Sequence, residues 1–418
     1  MTMFEDGKGT VRRFDAASIS AIGSDRVDQE LSEFFERLRV RTTHHLGYPY
    51  NLDHDYTPLL RFLRFTLINL GDPFTDSNCK IDTRKFEKEV LAFFADLFEL
   101  EPDEYVGYVT AGGTEGNIYG LYVAAQSHPD AVLYASGDTH YSVFKACRML
   151  RQPFKMVASQ RSGEMDYRSL ERELDPSRPA IVNVSVGTTV KGAIDDLDQV
   201  LEVLERRGVQ TFYIHCDGAL TGMMLPFMDG APAIDFTKPI DSLAISGHKF
   251  LGTPLPCGVV LLRKRHQRAV ETDIEYIGSK DTTILGARCG LAPLLMWYAL
   301  QRKGKEGLQR DVEDCLANAR YLHRRLQSLG YEALLNPWSN IVWMSRPGSS
   351  VVEKWQLAVE KDGAHVVVMQ NVDRSKIDQF LDDLRTDSAH RPSGRGAPEQ
   401  EVRCGRATGN GSKRSQKG

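Results

Sequence analysis

Between Tyr105 and Phe250 the chain repeats one unit: a short apolar run, a polar loop, then a stretch with helical periodicity. Tyr105 to Val109 leads into Thr110-Ala111-Gly112-Gly113-Thr114-Glu115-Gly116-Asn117, and Ile118 to Ala125 then reads as a helix. Ala131 to Ala135 ends at Ser136-Gly137-Asp138-Thr139-His140-Tyr141-Ser142, ahead of a helix from Val143 to Leu150. Ala180 to Val186 ends at Gly187-Thr188-Thr189-Val190-Lys191, ahead of a helix from Leu197 to Arg207. Apolar runs of this length bounded by glycine-containing polar loops are the pattern of buried strands. Their alternation with helices restricts the chain to an α/β fold with a mostly parallel sheet, and places the site at the carboxyl ends of the strands.

Two more apolar runs end in reactive side chains. Val209 to Ile214 is followed by His215-Cys216-Asp217-Gly218-Ala219, and Ile240 to Ile245 by Ser246-Gly247-His248-Lys249-Phe250. A lysine beside apolar strands sheds its proton more readily than one on a solvated helix, and becomes a nucleophile toward a carbonyl. The glycine pair Gly112-Gly113 exposes amides at a helix N-terminus, where they and the Thr114 hydroxyl suit a phosphate; an ordinary tight strand-to-helix turn reads the same way. It is neither a spaced-glycine dinucleotide fingerprint nor a P-loop, since no lysine follows. His140 alone would be a structural histidine, but it stands at a strand end in line with the other loops.

Phosphate turn, histidine, carboxylate and lysine together match what pyridoxal phosphate requires: an anchor for its phosphate, a flat group on the ring, a carboxylate to keep the pyridine nitrogen protonated, and an amine for the aldehyde. The 32 positions between Asp217 and Lys249 allow the two to sit on separate strands facing one cleft.

Bulk properties exclude other classes. A net charge of −4 in 418 residues provides no basic footprint for nucleic acid. No apolar run approaches a membrane span, and the first residues lack the order of a secretion signal, so a soluble, cytoplasmic protein is expected. Seven widely spaced cysteines without a CxxC pair point to reduced thiols and no metal site. Residues 1–55 read as an arm whose Leu31, Phe34, Phe35 and Leu38 share a helix face and are expected to pack on a second subunit. Residues 56–285 form the large domain, in which 276–283 is either a linker or a mobile flap. Residues 286–386 form a smaller C-terminal α+β domain, with helices over 286–302, 308–329, 351–359 and 375–384 and strands over 341–344 and 364–369. Residues 387–418, rich in Gly, Ser, Arg, Lys and Pro, are expected to be a disordered tail.

His215-x-Asp217-Gly218-Ala219, Ser246-Gly247-His248-Lys249, Gly112-Gly113-Thr114-Glu115-Gly116-Asn117, His140-Tyr141-Ser142 and Asn69-Leu70-Gly71-Asp72-Pro73-Phe74 resemble the group II pyridoxal-phosphate decarboxylases, above all bacterial histidine decarboxylases and plant serine decarboxylases. The resemblance runs from about Gly47 to about Leu384 and includes Ala364-His365-Val366-Val367-Val368-Met369. It implies a fold-type-I homodimer that releases carbon dioxide and a primary amine from an L-amino acid. It implies that Lys249 binds the cofactor's aldehyde, Asp217 pairs with the pyridine nitrogen and His140 stacks on the ring. Gly113, Thr114 and His248 would hold the phosphate with Ser246 nearby, and Thr189 and His215 would sit beside the cofactor, either at its ring edge or behind the groups that touch it. The Cα proton would come from Tyr276 or the 279–283 segment, or equally from Lys249 or water.

Where the short relatives show Gly-Ser-Arg-Asn-Gly-His, this chain reads Gly286-Ala287-Arg288-Cys289-Gly290-Leu291, and Cys79-Lys80 replaces Tyr-Gly. If 286–291 lines the pocket, loss of these polar groups favours an aliphatic substrate such as valine or leucine over histidine or serine. Other fold-type-I chemistry is the more distant alternative; aminotransfer usually needs an arginine clamp, for which no motif is present.

Overall fold

The computed structural model describes residues 24–387. Seven strands form the central sheet in the order 105–110, 258–263, 242–246, 212–217, 180–185, 132–136, 154–157. Only Gly258–Arg263 runs antiparallel to its neighbours; the remaining pairings are parallel. Ala180–Ser185 and Ser242–Ser246 are buried at every position, because helices cover both faces, and this explains their unbroken apolar character. The mostly parallel sheet expected from the strand-loop-helix repetition is therefore present, and the loops that follow its parallel strands share one edge.

Helix starts were less legible. Gly113–Ser127 begins inside the glycine turn rather than at Ile118, and Tyr141–Leu150 begins directly after His140, whose ring caps it by accepting from the Ser142 amide. Leu197–Arg206 starts under the Asp196 carboxylate, which accepts from the Asp198 and Gln199 amides.

The second layer differs from expectation at 286–290 and at the end of the helix over 351–359. Residues 286–290 do not start a helix: Ala287–Cys289 is a strand paired antiparallel with Ile68–Leu70. The two helices expected over 286–302 and 308–329 are both present within Leu291–Ser328, separated by a kink at Gly304, whose φ of 60° and ψ of 177° are not helical. The helix expected over 351–359 ends at Trp355, since Gln356 turns left-handed and Ala358–Glu360 joins a four-stranded antiparallel sheet. That sheet, 333–335, 341–345, 363–367 and 358–360, carries helices Ser349–Trp355 and Arg374–Arg385.

Helix Ser24–Thr43 leaves Leu31 and Phe35 exposed. The chain then crosses to the small sheet, where Leu46 donates to Trp355 O (3.1 Å) and accepts from the Val367 amide (2.8 Å). The flap region is a hairpin, Thr272–Ile274 against Ser279–Asp281, docked on 72–78 through Asp72 N to Lys280 O (2.8 Å) and Asn78 N to Ile277 O (2.9 Å). The expected disordered tail, 387–418, lies outside the described residues apart from Asp387. Among the described residues no helix is long and apolar enough to cross a membrane, and no cluster of His, Cys, Asp and Glu is arranged to hold a metal.

Candidate active site

The carboxyl edge of the central sheet opens into a cavity of about 360 Å³. Each of its polar walls follows a strand: His140 after 132–136, Thr188 and Thr189 after 180–185, Asp217 at the end of 212–217, and His248 with Lys249 after 242–246. The opposite wall comes from Gly47, Tyr48, Pro49 and Tyr50 and from Ile341, Ala358, His365 and Val367 of the small sheet.

Asp217 is buried. One oxygen accepts from Asn117 Nδ2 at 2.7 Å, the other from the Ala219 amide at 3.2 Å. Lys249 projects into the same cavity, and its pKa is lowered by burial against an opposing pull from Asp217. An amine desolvated in this way has a larger unprotonated fraction near neutrality, as attack on an aldehyde requires. His140 is held neutral by burial, which outweighs the attraction of Asp217; Lys249 and Lys145 push in the same direction as burial. Burial likewise lowers the pKa of His248, whose Nδ1 lies 3.0 Å from Cys257 O.

Gly113, Thr114 and Ser246 do not line the main cavity but adjoin it. A Cβ at Gly113 would stand 2.5 Å from Ser246 Oγ and 3.3 Å from the Ala219 methyl, so only glycine lets the helix start this close to the strand edge. Gly112, at φ 142°, provides no capping side chain, and its position lies 3.5 Å from His248 when a Cβ is built there. The first amides of this helix are thus uncapped beside a serine, a threonine and a histidine, a donor set that fits a phosphate.

Of the two positions expected for His215, the ring edge and the layer behind it, the structure has the second: His215 is fully buried, with Nδ1 2.7 Å from Ser242 Oγ and Nε2 3.0 Å from Asn117 Oδ1, the residue that also bonds Asp217. Thr189 is exposed at the mouth of the cavity. Tyr276 is 82% exposed and outside the cavity wall. The segment 286–291 also contributes nothing to that wall; Arg288 is committed to Glu87 and to Gly71 O, while Ala287 and Cys289 face outward. Sequence reasoning passed over Asn117, Ser142, Tyr48, Tyr50 and His365 as individual site residues. Their only signal was membership of the quoted motifs and of the aromatic stretch 47–56.

A lysine and a carboxylate facing a histidine, next to an uncapped helix N-terminus on a type-I α/β scaffold, define a pyridoxal-phosphate enzyme. Residues 87–342 match the family described as the pyridoxal-dependent decarboxylase conserved domain. Serine decarboxylase 2 of Oryza sativa subsp. japonica is 48% identical over 362 residues, covering 86% of this chain and 78% of the relative. Histidine decarboxylase of Solanum lycopersicum is 44% identical over 365 residues, covering 86% and 88%. Among solved structures, L-methionine decarboxylase from Streptomyces sp. 590 aligns with a TM-score of 0.82 at 27% identity, covering 88% of this chain and 96% of that one. The chain belongs to the pyridoxal-dependent decarboxylase family, and it is a carboxy-lyase with pyridoxal phosphate as cofactor.

Proposed function

We propose that the protein is an L-amino-acid α-decarboxylase whose substrate has a short polar side chain, serine before histidine. The observation that carries the reading is the convergence of Lys249, Asp217 and His140 on a cavity whose far wall presents His365 and two tyrosines. His365 is buried, burial lowers its pKa to about 4, and its ring engages the Gly47 backbone. Its Nδ1 has no partner among the described residues. This buried nitrogen would be satisfied by a substrate hydroxyl or imidazole that the ring turned to meet, and left unpaired by an alkyl chain. The aliphatic alternative rested on 286–291, which does not wall this cavity, and the curated relatives described above are named for serine and histidine.

Lys249 would hold the cofactor's aldehyde, Asp217 its pyridine nitrogen, His140 its ring face and Thr189 its edge. The amides of Gly113 and Thr114, with Ser246 and His248, would hold its phosphate. When bound, pyridoxal phosphate supplies the electron sink that lets carbon dioxide leave. Asp217, as an ionised carboxylate, would keep that sink effective by accepting a hydrogen bond from the pyridine N–H and so holding the nitrogen protonated. His140, neutral, orients the substrate without adding a competing charge. Lys249, whose pKa burial lowers, lines the cavity and would carry a proton to the substrate Cα, a role for which the exposed Tyr276 is poorly placed. Incubating the purified protein with pyridoxal phosphate and each of the twenty amino acids, then measuring carbon dioxide and amine, tests the reading. Ethanolamine as the main product is expected; an amine from valine or leucine alone overturns the substrate assignment.

A second copy of the chain completes the reading. Leu31, Phe34, Phe35 and Leu38 on helix Ser24–Thr43, together with Leu60, Leu63 and Phe65, are large apolar side chains left exposed in one subunit. Apolar surface of this extent is characteristic of an interface. Sedimentation equilibrium is expected to give a dimer, and Phe35→Asp to weaken it; a monomeric wild type removes this part.

A further inference from the structure

Behind the cavity, six side chains form one branched hydrogen-bond chain. Asn117, on helix Gly113–Ser127, is its centre. Its Nδ2 donates to Asp217 Oδ2 (2.7 Å) and to Ser142 Oγ (2.9 Å), and its Oδ1 lies 3.0 Å from His215 Nε2. His215 Nδ1 is 2.7 Å from Ser242 Oγ, and Ser142 Oγ is 2.7 Å from His140 Nδ1. Asn117, Ser142, His215 and Ser242 are all buried. Helix and sheet approach closely enough for these bonds because residue 120 is glycine: a Cβ there would meet His215 Nδ1 at 2.4 Å.

The proton positions follow from one boundary condition. An ionised Asp217 only accepts, so the Asn117 amide must turn its NH2 toward Asp217 and Ser142 and its carbonyl toward His215. His215 then donates from Nε2 and accepts at Nδ1 from the Ser242 hydroxyl. Ser142 Oγ, having accepted from Asn117, gives its own proton to His140 Nδ1, which also accepts from the Ser142 amide (3.3 Å). The remaining His140 hydrogen therefore sits on Nε2, the nitrogen on the opposite edge of a ring that lines the cavity. Every donor and acceptor of Asn117 is used, and a change in the protonation of either end forces a rearrangement at the other.

We propose that Asn117 is a positioning residue that couples Asp217 to His140, aiming the carboxylate at the pyridine nitrogen while holding the imidazole as a neutral Nε2–H donor. The proposal rests on the assignment of Asp217 and His140 to the cofactor. Asn117 touches neither cofactor nor substrate and acts only through these two groups. The charged and ring groups around His140 are Asp217, Lys249, Lys145 and Tyr141. None of them donates to Nδ1, so Ser142 alone transmits the tautomer.

The test uses full-length enzyme loaded with nitrogen-labelled pyridoxal phosphate, without substrate. In wild type the pyridine nitrogen is expected to resonate as protonated. Asn117→Asp places a second carboxylate against Asp217, so one proton is shared between the pair. The pyridine signal is then expected to move toward the neutral position and the visible absorbance of the lysine-bound cofactor to change, with kcat falling roughly a hundredfold and KM little altered. Ser142→Ala removes one oxygen and leaves Asp217 paired. It is expected to keep the wild-type pyridine signal while shifting the pH profile of kcat/KM and lowering kcat about tenfold. A wild-type pyridine signal in Asn117→Asp, or an unchanged pH profile in Ser142→Ala, overturns the proposal; the second result decides it even if Asn117→Asp fails to fold. Failure of the underlying assignment looks different: wild type would not develop the lysine-bound absorbance, or Lys249→Ala would retain it.

Discussion

The two walls of the cavity are built by different means. The sheet-edge wall carries Lys249, Asp217 and His140 at strand ends, and the Asn117 chain ties Asp217 and His140 to the interior. The facing wall is assembled from a crossing segment, 47–50, and from the small sheet, and its most buried polar group, His365, keeps a bare nitrogen. Strands fixed by ladder hydrogen bonds suit the wall where a misplacement of a fraction of an ångström costs rate. A wall brought in from a second sheet can change its side chains without disturbing that geometry. On the proposed reading, reaction type belongs to the first wall and choice of substrate to the second.

Breaking the first wall gives the largest effects. Lys249→Ala is expected to lower decarboxylation by roughly a thousandfold or more and to remove the visible absorbance of the loaded enzyme, as read by carbon dioxide release and a spectrum. Asp217→Asn, isosteric but uncharged, is expected to cost about a hundredfold in kcat while cofactor remains bound at high concentration; single-turnover kinetics separate the two. Breaking the second wall has a smaller and different effect. His365→Ala is expected to lower kcat/KM for the preferred amino acid about tenfold and to narrow its margin over alanine, with the cofactor spectrum unchanged. A changed spectrum with unchanged preference would erase the distinction between the walls.

Acid provides the mildest test. His215 is fully buried and its pKa is pushed down to about 4, below the unfolded value of about 6.5. The unfolded chain therefore binds the extra proton first, and stability falls as pH drops from about 6.5 toward about 4, by up to about 3 kcal/mol from this group. Urea unfolding at several pH values should show that His215→Gln, whatever its stability near neutrality, loses less across this window.

The reactive wall was legible because each of its residues follows a buried strand within a few positions, so that periodicity marks the strand and the following polar residues mark the site. His140, Asp217 and Lys249 all satisfy that rule. His215, two positions before Asp217, shares its sheet face but is covered by the helix at Gly120, and which of its two expected positions it takes was not legible. Segment 286–291 misled. Its composition suggested a pocket lining, whereas pairing with Ile68–Leu70 turns Ala287 and Cys289 away from the cavity of this subunit.

By itself the sequence determined the α/β class, the edge of the sheet that bears the chemistry and the cofactor that chemistry needs, since these depend on residue type and on spacing along single strands. Tertiary structure alone decided which buried groups meet. Asn117 lies 100 positions from Asp217 and 25 from Ser142, yet bonds to both. Gly47 and His365 come together across most of the chain. Such pairs carry no periodic signal, because they arise from the docking of one finished element on another, and docking is set by shape at the contact rather than by distance along the chain.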